Sequence, residues 1–171
     1  MKKILIPVDG SRGTKDIFAV CANVVRPAEE VILLHVEQLG GKTLMLNMLG
    51  EAEMSTLRES IQGTPFKERL DEQAGKILGH YRAKLEGLGS QNIRILVREG
   101  VPAEEILKVA AEEKVDLIVL GSNGSATALD QLISGSVTKD VERGARVPVL
   151  VAKNNGCTEA ALAWREAYVA R

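Results

Sequence analysis

Apolar residues along the chain fall into short runs, separated by stretches in which they recur at helical spacing. The first run, Lys3 to Val8, reads Lys-Ile-Leu-Ile-Pro-Val and stops at Asp9-Gly10-Ser11. Apolar side chains at successive positions predict a strand covered on both faces, the kind that parallel sheets contain. From Thr14, the residues Ile17, Phe18, Cys21, Val24 and Val25 recur about three and four apart, a helical pattern that ends near Pro27. Further strands are predicted at Val31 to Val36, Ile93 to Val97, Val115 to Leu120 and Val147 to Val151. Pro102 and Ala103 open a helix carrying Ile106, Leu107, Val109 and Ala110. Proline is welcome in a first turn because the N–H it lacks would have no partner there. Leu129 to Arg143 reads as broken helix.

The stretch between the second and third strands is longer than one crossover needs, and Gly40, Gly41, Gly50, Gly63 and Pro65 divide it. An insertion is expected over residues 37–64. The stripe Phe66, Leu70, Ala74, Ile77, Leu78, Tyr81, Leu85 and Leu88 predicts the crossover helix at residues 65–88, preceded by a shorter helix with Met54, Leu57 and Ile61. Leu39 to Met48 fits a satellite core, a flap or a partner contact. After the last strand, Thr158 to Arg171 reads as a capped helical extension with Ala161, Leu162, Trp164, Tyr168 and Val169 on one arc. Residues 1–153 thus form the expected domain and residues 154–171 an appended helix.

Repeated βαβ units with right-handed crossovers imply an α/β fold: an open, five-stranded, doubly wound parallel sheet with helices on both faces. With strand order 3-2-1-4-5, the first and fourth strands adjoin, and Asp9-Gly10-Ser11 comes beside Gly121-Ser122-Asn123-Gly124. Ligands of such sheets bind at the carboxyl edge where neighbouring connections diverge, so that crevice is the expected site.

Composition narrows the partners. The 171 residues carry Lys+Arg 22 against Asp+Glu 23, a net charge of -1, and so no broad cationic field to hold nucleic acid or an anionic membrane. No apolar stretch is long enough to span a bilayer, and the opening run breaks at Pro7 and Asp9, too soon for a signal peptide. A soluble cytoplasmic protein is expected. Cys21 and Cys157 lack the CxxC spacing of metal or redox sites, and are read as packing or surface thiols. His35 and His80 each lie in an apolar pattern and are not expected to be catalytic. The first turn, Gly10-Ser11-Arg12-Gly13, is not the dinucleotide fingerprint, which disfavours an NAD oxidoreductase.

The second loop carries Gly121 and Gly124, then Gly135-Ser136-Val137-Thr138 at a helix start. Glycines let backbone approach a phosphate closely, and a helix N-terminus offers unpaired N–H donors with partial positive charge. The same glycines also fit ordinary turn and cap positions, and spacing alone does not decide between the two.

Ile4 to Ser11, Leu33-Leu34-His35-Val36, Asp116 to Gly124, Gly135 to Thr138 and Val147 to Val151 together resemble the universal stress protein family, in the correct order over residues 1–153. The resemblance is to its nucleotide-binding branch, a Rossmann-like fold of the adenine nucleotide alpha hydrolase type. It implies ATP bound with a divalent ion, Mg2+. By the same resemblance Asp9 and Val36 contact the adenine and ribose end, and Pro7 shapes the wall. Gly121 and Gly124 line the ribose and first phosphates, and Gly135, Ser136 and Val137 donate to the distal phosphates. The family pattern Gly-x2-Gly-x9-Gly-[Ser/Thr] is met with one departure: ten residues, Ser125 to Ser134, separate Gly124 from Gly135, so the loop must bulge to present the same donors. No lysine follows the glycines as in a P-loop.

Any ATPase activity is expected to be slow, with nucleotide acting as a conformational ligand. Val147 to Val151 makes an apolar edge strand that needs cover. The resemblance implies homodimerisation there through Val147, Val149 and Val151, and the C-terminal helix is the other available cover. The alternative function is a nucleotide-free dimeric adaptor that binds other proteins.

Overall fold

In the computed structural model, which describes residues 3–10, 17, 28–37, 50–121, 137–153 and 156–157, strand β1 (Lys3–Pro7) lies inside the sheet. It is flanked in parallel by β2 (Glu30–Glu37) and β4 (Leu117–Gly121). β3 (Ile93–Glu99) pairs in parallel outside β2, and β5 (Val149–Lys153) outside β4. The five parallel strands therefore run in the expected order 3-2-1-4-5. A two-residue β6 (Gly156–Cys157) adds an antiparallel rung beside β5, through Ala152↔Cys157 and Lys153↔Gly156. The sequence reading places Gly156 and Cys157 in the C-terminal extension that begins at residue 154.

Both sheet faces are covered, as the unbroken apolar runs require. Ile4, Ile6, Leu33 and Val119 face one side, where α2 (Pro65–Gly87) contributes Leu78, Tyr81 and Leu85. Leu5, Ile32, Leu34 and Ile118 face the other, where α3 (Pro102–Glu112) contributes Ile106 and Val109, and α4 (Val137–Gly144) contributes Val141. A further helix, α1 (Glu51–Ile61), precedes α2. Among the described residues no helix is long and apolar enough to cross a membrane.

Helix α2 runs as predicted and buries the expected stripe except at its start, where Lys67 turns inward in place of Phe66. Lys67, Ala74, Leu78, Tyr81 and Leu85 are buried, whereas Phe66 is 41% exposed. Thr64 caps the helix by accepting from Lys67 N–H, and Pro65 occupies the first turn. Helix α3 closes on Lys114 at φ 51, with Lys114 N–H donating to the Ala111 carbonyl and Val115 N–H to that of Ala110. That is a Schellman closure built on a lysine where glycine is usual. It keeps Val115 out of the fourth strand, which begins at Leu117. The fifth strand begins at Val149, not Val147, because Pro148 has no N–H to give; its carbonyl accepts from Ile118 N–H at 3.1 Å. The predicted helix after Thr14, the flap 39–48 and the terminal helix 158–171 lie outside the described residues, apart from Ile17.

Candidate functional site

The chain leaves β1 and β4 toward opposite faces. Ile17, in the connection after β1, packs in the core on the α2 side, whereas Val141 of α4, after β4, packs in the core on the α3 side. β1 and β4 are neighbours in the sheet. Their carboxyl ends therefore flank a topological switch point, where an open α/β sheet leaves a crevice.

Five of the predicted site residues are described. Pro7 ends β1, half-buried and in register with Leu34 of β2. Asp9 stands two residues beyond, exposed. Val36 is half-buried near the end of β2 and packs against the core on the α3 side. Gly121 ends β4 in register with Ala152, and Val137 opens α4. In a right-handed crossover from β4 to β5, that helix start lies at the carboxyl edge. Gly124, Gly135 and Ser136 lie outside the described residues.

The turn after β1 is held from two directions. Val8 N–H donates to the Leu34 carbonyl at 2.8 Å, and the Val8 carbonyl accepts from His35 Nδ1 at 2.7 Å. Gly10 then adopts φ 75, and a Cβ there would sit 3.4 Å from Ile77 Cδ1 of α2. Glycine is the residue that takes this conformation without strain. One helical turn along α2, Tyr81 is buried. Burial pushes its phenol up, and the negative charge of Asp9 adds to the shift.

Beside the crevice lies a charged cluster that the sequence reading does not find. Glu37 and Glu99, the last residues of β2 and β3, are register partners. Lys67 Nζ lies 2.5 Å from Glu37 Oε2, 2.7 Å from Glu99 Oε1 and 2.8 Å from Asp71 Oδ1. Burial alone would pull this ammonium down, but the hydrogen bonds it donates to Asp71, Glu37 and Glu99 outweigh that and hold the group above the ordinary lysine value. Glu37 Oε1 is buried without a hydrogen-bond partner among the described residues. The available signal is that both apolar strands end on glutamate, and two like charges side by side need a cation between them.

The universal stress protein family model matches residues 1–153. The chain belongs to the universal stress protein family. It is 35% identical over 156 residues to the universal stress protein MJ0577 of Methanocaldococcus jannaschii, an alignment covering 89% of this chain and 94% of that protein. The solved structure of hypothetical protein MJ0577 superposes with a TM-score of 0.63 at 32% identity, covering 90% of this chain and 96% of that one. A universal stress protein in complex with cAMP shares the fold at TM-score 0.58 and 19% identity, covering 88% of this chain and 94% of that one. So does an Arabidopsis thaliana family member with AMP bound, at TM-score 0.59 and 18% identity, covering 90% of this chain and 92% of that one.

Proposed function

We propose that this universal stress protein binds an adenine nucleotide, ATP with Mg2+, in the crevice between the carboxyl ends of β1 and β4, and acts as a cytoplasmic regulatory homodimer in the stress response. The observation that carries the reading is the switch point itself: β1 and β4 adjoin, and their connections part to opposite faces. The cAMP and AMP complexes of proteins with the same fold support adenine as the ligand class.

The described residues suit one end of such a ligand better than the other. Asp9 repels phosphate and accepts hydrogen bonds from hydroxyls, so the ribose belongs beside it, with Pro7 and Val36 walling the adenine. Gly121 and Gly124 then follow the sugar and first phosphates. Gly135, Ser136 and Val137 supply N–H donors for the distal phosphates. Among the described residues no cluster of His, Cys, Asp or Glu is arranged to hold a metal. Mg2+ in this reading comes with the phosphates, which usually supply much of its coordination.

The proposed dimer forms along the outer edge of β5. β6 pairs only Ala152 and Lys153, and Val151 is already 6% exposed, so the Val149 to Val151 backbone and the flanking Val147 carry the contact more than the Val151 side chain does.

The test is direct. Purified protein is denatured and the supernatant chromatographed, and ATP is titrated into emptied protein by calorimetry. Adenine nucleotide in the supernatant and saturable heat that disappears in Gly124→Trp support the reading. An empty supernatant with no heat refutes it.

A further inference from the structure

We propose that His35 is a positioning residue for the crevice: its imidazole takes the carbonyl that the next β1–β2 rung would use, and so leaves the Val36 amide to the ligand. The inference rests on the nucleotide-binding reading above and adds a residue to its machinery.

The argument starts from the ladder. In a parallel pair, one residue gives its N–H to the strand beside it and receives an N–H from the residue two further along. Continued by one step past Pro7↔Leu34, the register sets Val8 opposite His35. Val8 N–H does donate to the Leu34 carbonyl, at 2.8 Å. The Val8 carbonyl should then receive Val36 N–H. It accepts instead from His35 Nδ1 at 2.7 Å, and the β1–β2 pairing ends at Pro7↔Leu34. Among the described residues, β2 beyond Leu34 pairs only with β3, as far as Glu37↔Glu99, and the Glu37 carbonyl accepts from Gly100 N–H on that side. Backbone groups alternate in direction along a strand, so those of Val36 face the β1 side, past the last rung.

The partner fixes the tautomer. A carbonyl only accepts, so Nδ1 carries the proton. One side chain thus ends the ladder early without orphaning Val8, and holds in place the residue from which Asp9 and Gly10 project.

Two measurements test this. Isotope-labelled histidine in the wild-type protein is examined by nitrogen NMR, and ATP with Mg2+ is titrated into wild type, His35→Asn and His35→Phe. Asn carries its amide nitrogen where His carries Nδ1, whereas Phe keeps a ring and loses the donor. The proton is expected on Nδ1. His35→Asn is expected to bind within about threefold of wild type and His35→Phe at least about tenfold more weakly, the scale of one lost hydrogen bond. Should His35→Phe fail to fold, His35→Gln, whose amide sits at the depth of Nε2, replaces it with the same expected weakening. A proton on Nε2, or wild-type affinity in His35→Phe or His35→Gln, overturns the role of His35 alone. Silence of the wild-type protein toward nucleotide overturns the proposed function and this role with it.

Discussion

Lys67 Nζ lies 2.5 Å from Glu37 Oε2, joining the first turn of α2 to the last residue of β2. The same ammonium reaches Glu99 at the end of β3, so one cation offsets the repulsion between two carboxylates in register at the sheet's carboxyl edge. Removing it leaves the Glu37 carboxylate buried without that cation. Lys67→Met is expected to destabilise the fold by about 3 kcal/mol, the scale for breaking a buried pair from one side. Urea unfolding measures it, and a loss within about 0.5 kcal/mol would show the cluster to be a surface-type pair.

The pH dependence follows from the same groups. Lys67 is held above its ordinary value, so its contribution is complete below the unfolded pKa, about 10.4, and is lost as pH rises through the folded value. Tyr81 is also raised; the folded state favours its neutral phenol, and stability falls once the unfolded phenol ionises, near about pH 10. Both act in one direction. Melting temperature is expected to fall steeply above about pH 10, and Lys67→Met is expected to flatten that fall.

Asp9 and Tyr81 can be separated spectroscopically. Asp9→Asn removes the charge and leaves the burial, so the Tyr81 phenol is expected to titrate at lower pH than in wild type yet still above an exposed tyrosine. Ultraviolet difference absorbance follows the phenolate. An unchanged titration would place Asp9 outside the electrostatic reach of Tyr81.

Two backbone positions give opposite signs. Gly10→Ala forces a Cβ into positive φ next to Ile77 and is expected to cost about 1–2 kcal/mol. Lys114→Gly relieves a lysine from the same region at the end of α3 and is expected to gain about 0.5–1 kcal/mol. Thermal unfolding of the two variants checks both.

The sheet was readable because each strand announces itself alone. Ile4-Leu5-Ile6 or Leu117 to Leu120 reads as a strand with two dry faces, and the succession of such runs with intervening helices fits the strand order 3-2-1-4-5, which puts a switch point between β1 and β4. What stayed hidden depends on register between strands far apart in sequence. Glu37 and Glu99 become neighbours only when β2 and β3 pair, and only then does Lys67, not Phe66, belong on the inner arc of α2. His35 reads as one polar residue in an apolar strand until the end of β1 sets the Val8 carbonyl beside its ring. The glycine positions Gly121 and Gly124 were visible as spacing, while the register that ends β4 at Gly121 was not.

The central claim is that an adenine nucleotide occupies the β1/β4 crevice, and a crystal structure grown with ATP and Mg2+ tests it most directly. The account predicts density for the nucleoside between Asp9 and Val36, with phosphates running past Gly121 toward the start of α4. Crystals diffracting well at saturating ATP with that crevice empty, or with nucleotide bound elsewhere on the sheet, would contradict it.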